Sequence, residues 1–141
     1  MPFPPGQRRE WHVFPAANRK GKNSMILHCM RQATWEQRKD KELWGHRNIA
    51  ADGFIHCTSP EYWWRIAPNF ENESAALVIV CIDETKLHAE VRYEDGGDCG
   101  RLYPHIYGLV NRDAVTAVLP FLRDTQGRYI KNSELKEFAD Q

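Results

Sequence analysis

The sequence predicts an α+β domain, in which strands and two helices follow one another in mixed order. With 42% hydrophobic and 27% charged residues, the 141-residue chain has the composition of a globular domain that can bury a core. Two helical patterns fall in the first half of the chain, whereas strand patterns recur along its whole length. Late turn signals, such as Asp95-Gly96-Gly97-Asp98, indicate hairpins.

The charge and cysteine content restrict the classes of partner. The 19 basic and 19 acidic side chains give a net charge of zero, which weighs against a nucleic-acid partner but leaves room for a small nucleotide ligand. No signal peptide and no membrane-length apolar run is visible, so we expect a cytoplasmic protein with no membrane partner. The cysteines form no paired motif, which predicts free thiols at Cys29, Cys57, Cys81 and Cys99.

Three segments are predicted from changes in composition. Residues 1–23 are rich in proline and are expected to form a largely irregular N-terminal extension. Residues 24–123 carry the strand and helix patterns and form the domain. Residues 124–141 form a C-terminal tail with a weak helical signal.

The domain is predicted to begin with a strand and a helix. The apolar run Met25–Met30 is typical of a buried strand and is interrupted by His28. Thr34, followed three residues later by Gln37, matches a capping box, so we predict a helix from Thr34 to about Leu43. The residues from 44 to 51 are interpreted as a connection.

A second strand and helix follow the Asp52-Gly53 turn. Phe54–Thr58 is the strand, and side-chain alternation places Phe54 and His56 on one face. Ser59-Pro60 then offers an N-cap and a proline at the first helical position, which predicts a helix to about Phe70.

The second half of the domain is predicted to be mainly β-structure. Its most apolar run should be a central strand buried on both faces, and the proline in a later run favours an edge strand or an ordered loop. The predicted strands are Leu77–Ile82, Glu90–Glu94, Leu102–Gly108 (the run with Pro104) and Ala114–Leu122.

Histidines on apolar strands are the leading candidates for function. An unpaired imidazole there would cost stability, so His28 and His56 need a partner or a role. Each could simply be hydrogen-bonded to backbone, and a zinc site that also includes His105 is a further alternative. The short ligand spacing of a metal site is missing, so we expect no metal. The cysteine beside each strand histidine points to the opposite face, which disfavours a cysteine nucleophile.

Several blocks together resemble the family called domain of unknown function 952. The resemblance runs from about Met25 to Pro120 and keeps the order of the blocks. The blocks are Ile26-Leu27-His28, Asp52-Gly53-Phe54-Ile55-His56-Cys57-Thr58, Leu77-Val78-Ile79 through Asp83 and Leu87, Val91-Arg92-Tyr93-Glu94-Asp95 and Leu102-Tyr103-Pro104-His105-Ile106-Tyr107-Gly108.

The resemblance implies an ADP-ribosyltransferase-like fold, which is a split, curved mixed sheet with two main helices around a nicotinamide-dinucleotide cleft. It implies NAD as the substrate, with His28 on the ribose and His56 in the nicotinamide pocket. The third polar position of such sites, which assists catalysis together with His56, falls on Glu94 or His105. Aromatic faces for stacking the nicotinamide or adenine are available on Tyr62, Tyr103 and Tyr107.

Two functions are compatible with this resemblance. One is an NAD-dependent ADP-ribosyl- or phosphotransferase-like enzyme, since the histidine pair is similar to that of the RNA 2′-phosphotransferases. Cleavage of the nicotinamide–ribose bond builds positive charge on the ribose, which the site must stabilise. The alternative is a non-catalytic nucleotide-binding or protein-interaction module on the same fold.

Overall fold

The computed structural model describes residues 24–141, together with the backbone of Val13–Phe14. The strands are β1 (Val13–Phe14), β2 (Met25–Arg31), β3 (Leu43–Trp44), β4 (Ile55–His56), β5 (Leu77–Asp83), β6 (Glu90–Glu94), β7 (Tyr103–Tyr107), β8 (Val110–Asn111) and β9 (Val115–Pro120). The helices are α1 (Gln32–Arg38), α2 (His46–Asp52) and α3 (Trp63–Ile66). The predicted α+β class is confirmed.

The strands form three sheets, with the orders β1-β6-β7-β4, β2-β5-β9 and β3-β8. Every pairing between described strands is antiparallel, so the expectation of a mixed sheet is wrong. A parallel pair needs a long, usually helical crossover. The helices here have only four to seven residues.

The two larger sheets meet at a short bridge between β2 and the segment after β4. The Leu27 amide donates to the Thr58 carbonyl at 2.8 Å, and the Thr58 amide donates to the Leu27 carbonyl at 2.9 Å. Apart from this bridge, the strand orders of the two sheets have no strand in common.

Strand β5 lies at the centre of its sheet and is buried on both faces, as predicted. Its alternating side chains therefore enter two hydrophobic clusters. One cluster includes Val78, Val80, Ile82, Ile26, Trp44 and Ile106. The other includes Ile79, Cys81, Leu27, Trp63, Leu119 and Leu135.

Helix α1 begins earlier and ends earlier than the predicted helix from Thr34 to Leu43. β2 pairs with β5 up to Arg31, and the next amide, that of Gln32, donates to the Ala76 carbonyl at 2.9 Å. The helix therefore starts directly where the strand ends, without a side-chain cap. Its predicted last residue, Leu43, instead pairs with Asn111 in the β3–β8 sheet.

Helix α2 occupies the segment from 44 to 51 that the sequence analysis interpreted as a connection, so that interpretation is wrong. Both ends of α2 are set by glycine, since Gly45 and Gly53 have φ of 113° and 84°. Only glycine adopts such left-handed backbone at little cost in conformational energy. Only Ile49 gives the helix an apolar contact with the core, which explains the missing periodic signal.

The predicted helix from Pro60 to Phe70 is broken into three short pieces. Pro60 does occupy the first turn, but 3₁₀ turns at Pro60–Tyr62 and Ala67–Phe70 flank the four-residue α3. Ala67 keeps helical backbone, but Pro68 lacks the amide proton that would donate the next hydrogen bond of α3, and the chain continues as the 3₁₀ turn.

Strand β7 lies between β6 and β4 and is therefore an interior strand, not the edge strand or loop that Pro104 suggested. The Pro104 carbonyl accepts a hydrogen bond from the Cys57 amide at 3.1 Å, one residue past the end of the two-residue β4. In an antiparallel pair the nitrogen and the carbonyl of one residue point to the same neighbour, so the missing N–H of Pro104 faces the end of β4 and leaves the hydrogen bonds between β7 and β6 intact.

The C-terminal segment packs against α3. Leu135 and Phe138 are buried in the same cluster as Trp63, and the Gln141 amide donates to the Glu61 carbonyl at 3.0 Å. The predicted extension 1–23 lies outside the described residues, apart from the backbone of β1 beside β6. Among the helices that the structure describes, none has the length and apolar character to cross a bilayer.

Candidate functional site

A cavity of about 240 Å³ opens beside the bridge that joins the two larger sheets. Its wall is mostly apolar, with Leu27, Cys57, Trp63, Ile66 and Phe70. The remaining lining residues are His28, Cys29, His56, Thr58 and Asn69. The structure therefore brings His28 and His56 together at one cavity, as the sequence analysis proposed.

His28 is held by the backbone of β4. It is 7% exposed, and its Nδ1 lies 2.6 Å from the His56 carbonyl oxygen. Because a carbonyl can only accept, Nδ1 carries the proton and Nε2 is the acceptor nitrogen of the neutral ring. Burial lowers the pKa of His28 from 6.5 to about 4, and the hydrogen bond to His56 opposes this only in part. His28 is therefore neutral at pH 7.

His56 is more accessible and is paired with a carboxylate. Its side chain is 25% exposed, and its Nε2 lies 3.3 Å from Oδ2 of Asp52. Burial and the neighbouring His105 lower the pKa of His56, whereas Asp52 acts to raise it. Asp52 was read from the sequence only as a turn residue, so this contact was missed.

Glu94 and His105 form a buried pair on the same sheet face as His56. Glu94 is 2% exposed, and its Oε1 lies 2.8 Å from Nδ1 of His105. The same oxygen accepts a hydrogen bond from the Tyr107 hydroxyl at 2.7 Å. The two residues that competed for one catalytic position are thus hydrogen-bonded to each other.

Phe54 joins these polar groups into one cluster. Its ring is 4.1 Å from that of His105 and 4.6 Å from that of His56, between centroids. The His56 and His105 rings are 5.4 Å apart and meet edge to face. The alternation that places Phe54 and His56 on one face was visible in the sequence, but the packing role of Phe54 was not predicted.

The three candidate tyrosines occupy different surroundings. Tyr107 belongs to the Glu94 cluster and lies under the guanidinium of Arg92, at 4.2 Å from its ring centroid. Tyr62 and Tyr103 pack against each other at 5.5 Å between centroids. These tyrosines are not among the described residues that line the cavity, so none has a stacking position at its wall.

The cysteines show no sign of activation. All four are free, and Cys57 and Cys81 are buried. Burial raises the pKa of Cys29 and of Cys81 to about 12, and it raises the pKa of Cys57 as well. Within residues 24–141, no group of three or more His, Cys, Asp or Glu side chains is arranged to hold a metal ion.

Comparisons with known proteins agree with the sequence resemblance. The model of a family described as "Protein of unknown function (DUF952)" matches residues 29–118. The crystal structure of protein CC0527 from Caulobacter crescentus is similar, with a TM-score of 0.67 and 22% identity over 79% of this chain and 98% of that chain. Its solution NMR structure gives a TM-score of 0.58 and 24% identity over 75% and 91% of the two chains. No match is found among curated proteins.

Proposed function

We propose that this chain, which belongs to the DUF952 family, binds the nicotinamide–ribose end of NAD in the cavity beside His28 and His56. The observation that carries the proposal is a neutral histidine acceptor at the wall of a mostly apolar cavity. We further propose an ADP-ribosyltransferase-like cleft, in which the nicotinamide–ribose bond of NAD breaks, nicotinamide leaves, and the ribose carbon bonds to a nucleophile, which is either an acceptor group (ADP-ribosyl transfer) or a phosphate removed from a phosphorylated donor (phosphotransfer).

The state of His28 supports a ribose contact. Its Nδ1 is engaged by the His56 carbonyl, which leaves Nε2 as the acceptor nitrogen of a ring that lines the cavity. Nε2 is an acceptor, so it suits a hydroxyl donor of a sugar. A pKa of about 4 keeps that acceptor unprotonated throughout the physiological range.

The cavity size supports a ligand that enters with one end. Its 240 Å³ lies below the roughly 300–1,000 Å³ of sites that enclose a drug-sized molecule. A nicotinamide ring and its ribose would occupy it, while the phosphates would remain outside. Trp63 and Phe70 provide the apolar wall for the aromatic ring.

A binding module without catalysis is the second candidate, and one observation favours it. Among the described residues that line the cavity, none is a carboxylate. Glu94 accepts hydrogen bonds from His105 and Tyr107, and both of these contacts lie on the face of the β6–β7 pair. The positive charge that develops on a ribose during cleavage would then lack an anionic partner in the cavity.

The experiment is a calorimetric titration with NAD, with nicotinamide release followed in parallel. We expect His28→Ala to weaken NAD binding about tenfold or more, because losing one hydrogen bond in an apolar site costs roughly 1–3 kcal/mol. His88→Ala is the matched control, since His88 is an exposed histidine outside the cavity lining.

The outcomes separate the candidates. Binding with nicotinamide release that is lost in His56→Ala supports an enzyme, and binding without release supports the module. Equal NAD affinity for the parent, His28→Ala and His88→Ala would contradict the proposed site.

A further inference from the structure

Asp52 is an acidic residue in a position where helices disfavour acids. It is the last residue of α2, at the end where the helix dipole is negative. Its Oδ2 lies 3.3 Å from Nε2 of His56. We propose that Asp52 is a positioning residue that fixes the orientation and the Nε2-protonated tautomer of His56. The consequence for ligand binding rests on the proposed function of the cavity.

The backbone places Asp52 firmly against β4. Gly53 ends α2 with φ of 84° and donates its amide to the Ile49 carbonyl at 2.8 Å. At the other end, a Cβ on Gly45 would come within 2.5 Å of Cδ1 of Ile55, so the helix start lies directly on β4. The carboxylate therefore approaches His56 from a helix that is fixed at both ends.

The contact selects one tautomer of the neutral ring. A carboxylate only accepts hydrogen bonds, so the proton of the neutral imidazole must be on Nε2. Nδ1 is then the acceptor, and it is buried with no hydrogen-bond partner among the described residues. The facing groups are Asp52 from α2, His105 from β7 and the Phe54 ring. An unpaired buried acceptor is unfavourable, so a tautomer that leaves Nδ1 unpaired needs the partner that Asp52 supplies at Nε2.

The test is the ring nitrogen NMR spectrum of His56 across a pH titration of the ligand-free protein. In the parent we expect the Nε2-protonated tautomer. Asp52→Ala should mix the two tautomers and lower the pKa of His56, because the charge that raises it is gone. Asp52→Asn keeps an acceptor oxygen, so it should restore the tautomer but still lower the pKa. A merely structural role would not separate these two effects.

Asp40→Asn is the matched control, because it removes an exposed carboxylate just after α1 and should leave His56 unchanged. Identical His56 spectra in the parent and Asp52→Ala would overturn the proposal. Equal NAD affinity of the parent and Asp52→Ala, despite altered spectra, would overturn its link to ligand binding. If the parent does not bind NAD, the proposed function fails while the spectra still decide the role of Asp52.

Discussion

His28 and His56 have the same local sequence, a histidine before a cysteine in an apolar strand, yet their environments differ. His28 is almost fully buried and bonded to a backbone carbonyl, and its pKa is lowered to about 4. His56 is a quarter exposed and faces the carboxylate of Asp52. Burial therefore holds His28 in the neutral form, whereas His56 has an anionic partner that favours its protonation.

The difference teaches that a shared motif does not give a shared protonation state. For His28, the loss of hydration dominates, and its one partner is uncharged. For His56, a carboxylate from a neighbouring helix opposes the same loss. The two strands therefore hold one histidine against an uncharged partner and the other against an anionic partner.

The largest expected effect concerns the buried pair beside His56. Glu94→Ala removes the acceptor of hydrogen bonds from His105 and Tyr107, so it should lower the free energy of unfolding by about 3–5 kcal/mol. Denaturant unfolding at pH 7 measures this. Glu90→Ala is the control on the same strand, because its exposed pair with Arg92 should contribute little to the free energy of unfolding. Similar losses in both variants would show that the polar cluster near His56 is not a buried support.

The next effect tests the neutral state of His28 through the pH dependence of stability. The folded pKa, about 4, lies below the ordinary 6.5, so the unfolded chain binds this proton more readily. The contribution to stability is complete above pH 6.5 and is lost as the pH falls toward 4. Between pH 7 and pH 5 the parent should lose about 2 kcal/mol more than His28→Gln. Parallel pH profiles of the two proteins would contradict the assigned state.

The smallest effect sharpens the view of the His56 side. Gly53→Ala should lower the free energy of unfolding by about 1–2 kcal/mol, because alanine is strained at a φ of 84°. The new Cβ meets no atom within 4 Å, so no steric clash adds to this cost. Gly127→Ala is a matched control with the same φ and equally open surroundings. Both should be destabilised alike in denaturant, but only Gly53→Ala should shift the NMR signals of His56. If neither or both variants shift them, α2 does not position His56.

The sequence was most informative where apolar runs are long. β5 and β6 were predicted almost to the residue, because a run such as Leu77–Ile82 has one stable place in the centre of a sheet. α2 was missed because glycine, not a side-chain cap, sets its ends and only Ile49 packs on the core. Local patterns carry little information on such a short helix.

The candidate site was predicted in part. The resemblance pointed to His28 and His56, which do line one cavity. The contact between Glu94 and His105 depends on the register of β6 and β7, which pairs Arg92 with His105. The tyrosine positions failed to converge on the cavity for a similar reason. Which side chains meet is decided by strand pairing across the sheet, and no local spacing in the sequence encodes it.

The strand order also has a consequence for how the chain folds. Of the sheet pairings that the structure describes, only β6 with β7 joins strands that follow each other directly. β2 must pair with β5, and β4 must pair with β7, across about 45 residues of intervening chain in each case. Closing such loops costs entropy before any contact repays it, so we expect folding on a timescale of milliseconds or slower. Pulsed hydrogen exchange during refolding should then show the amides of the β6–β7 hairpin gaining protection first, and those around the cavity only when both large sheets are complete.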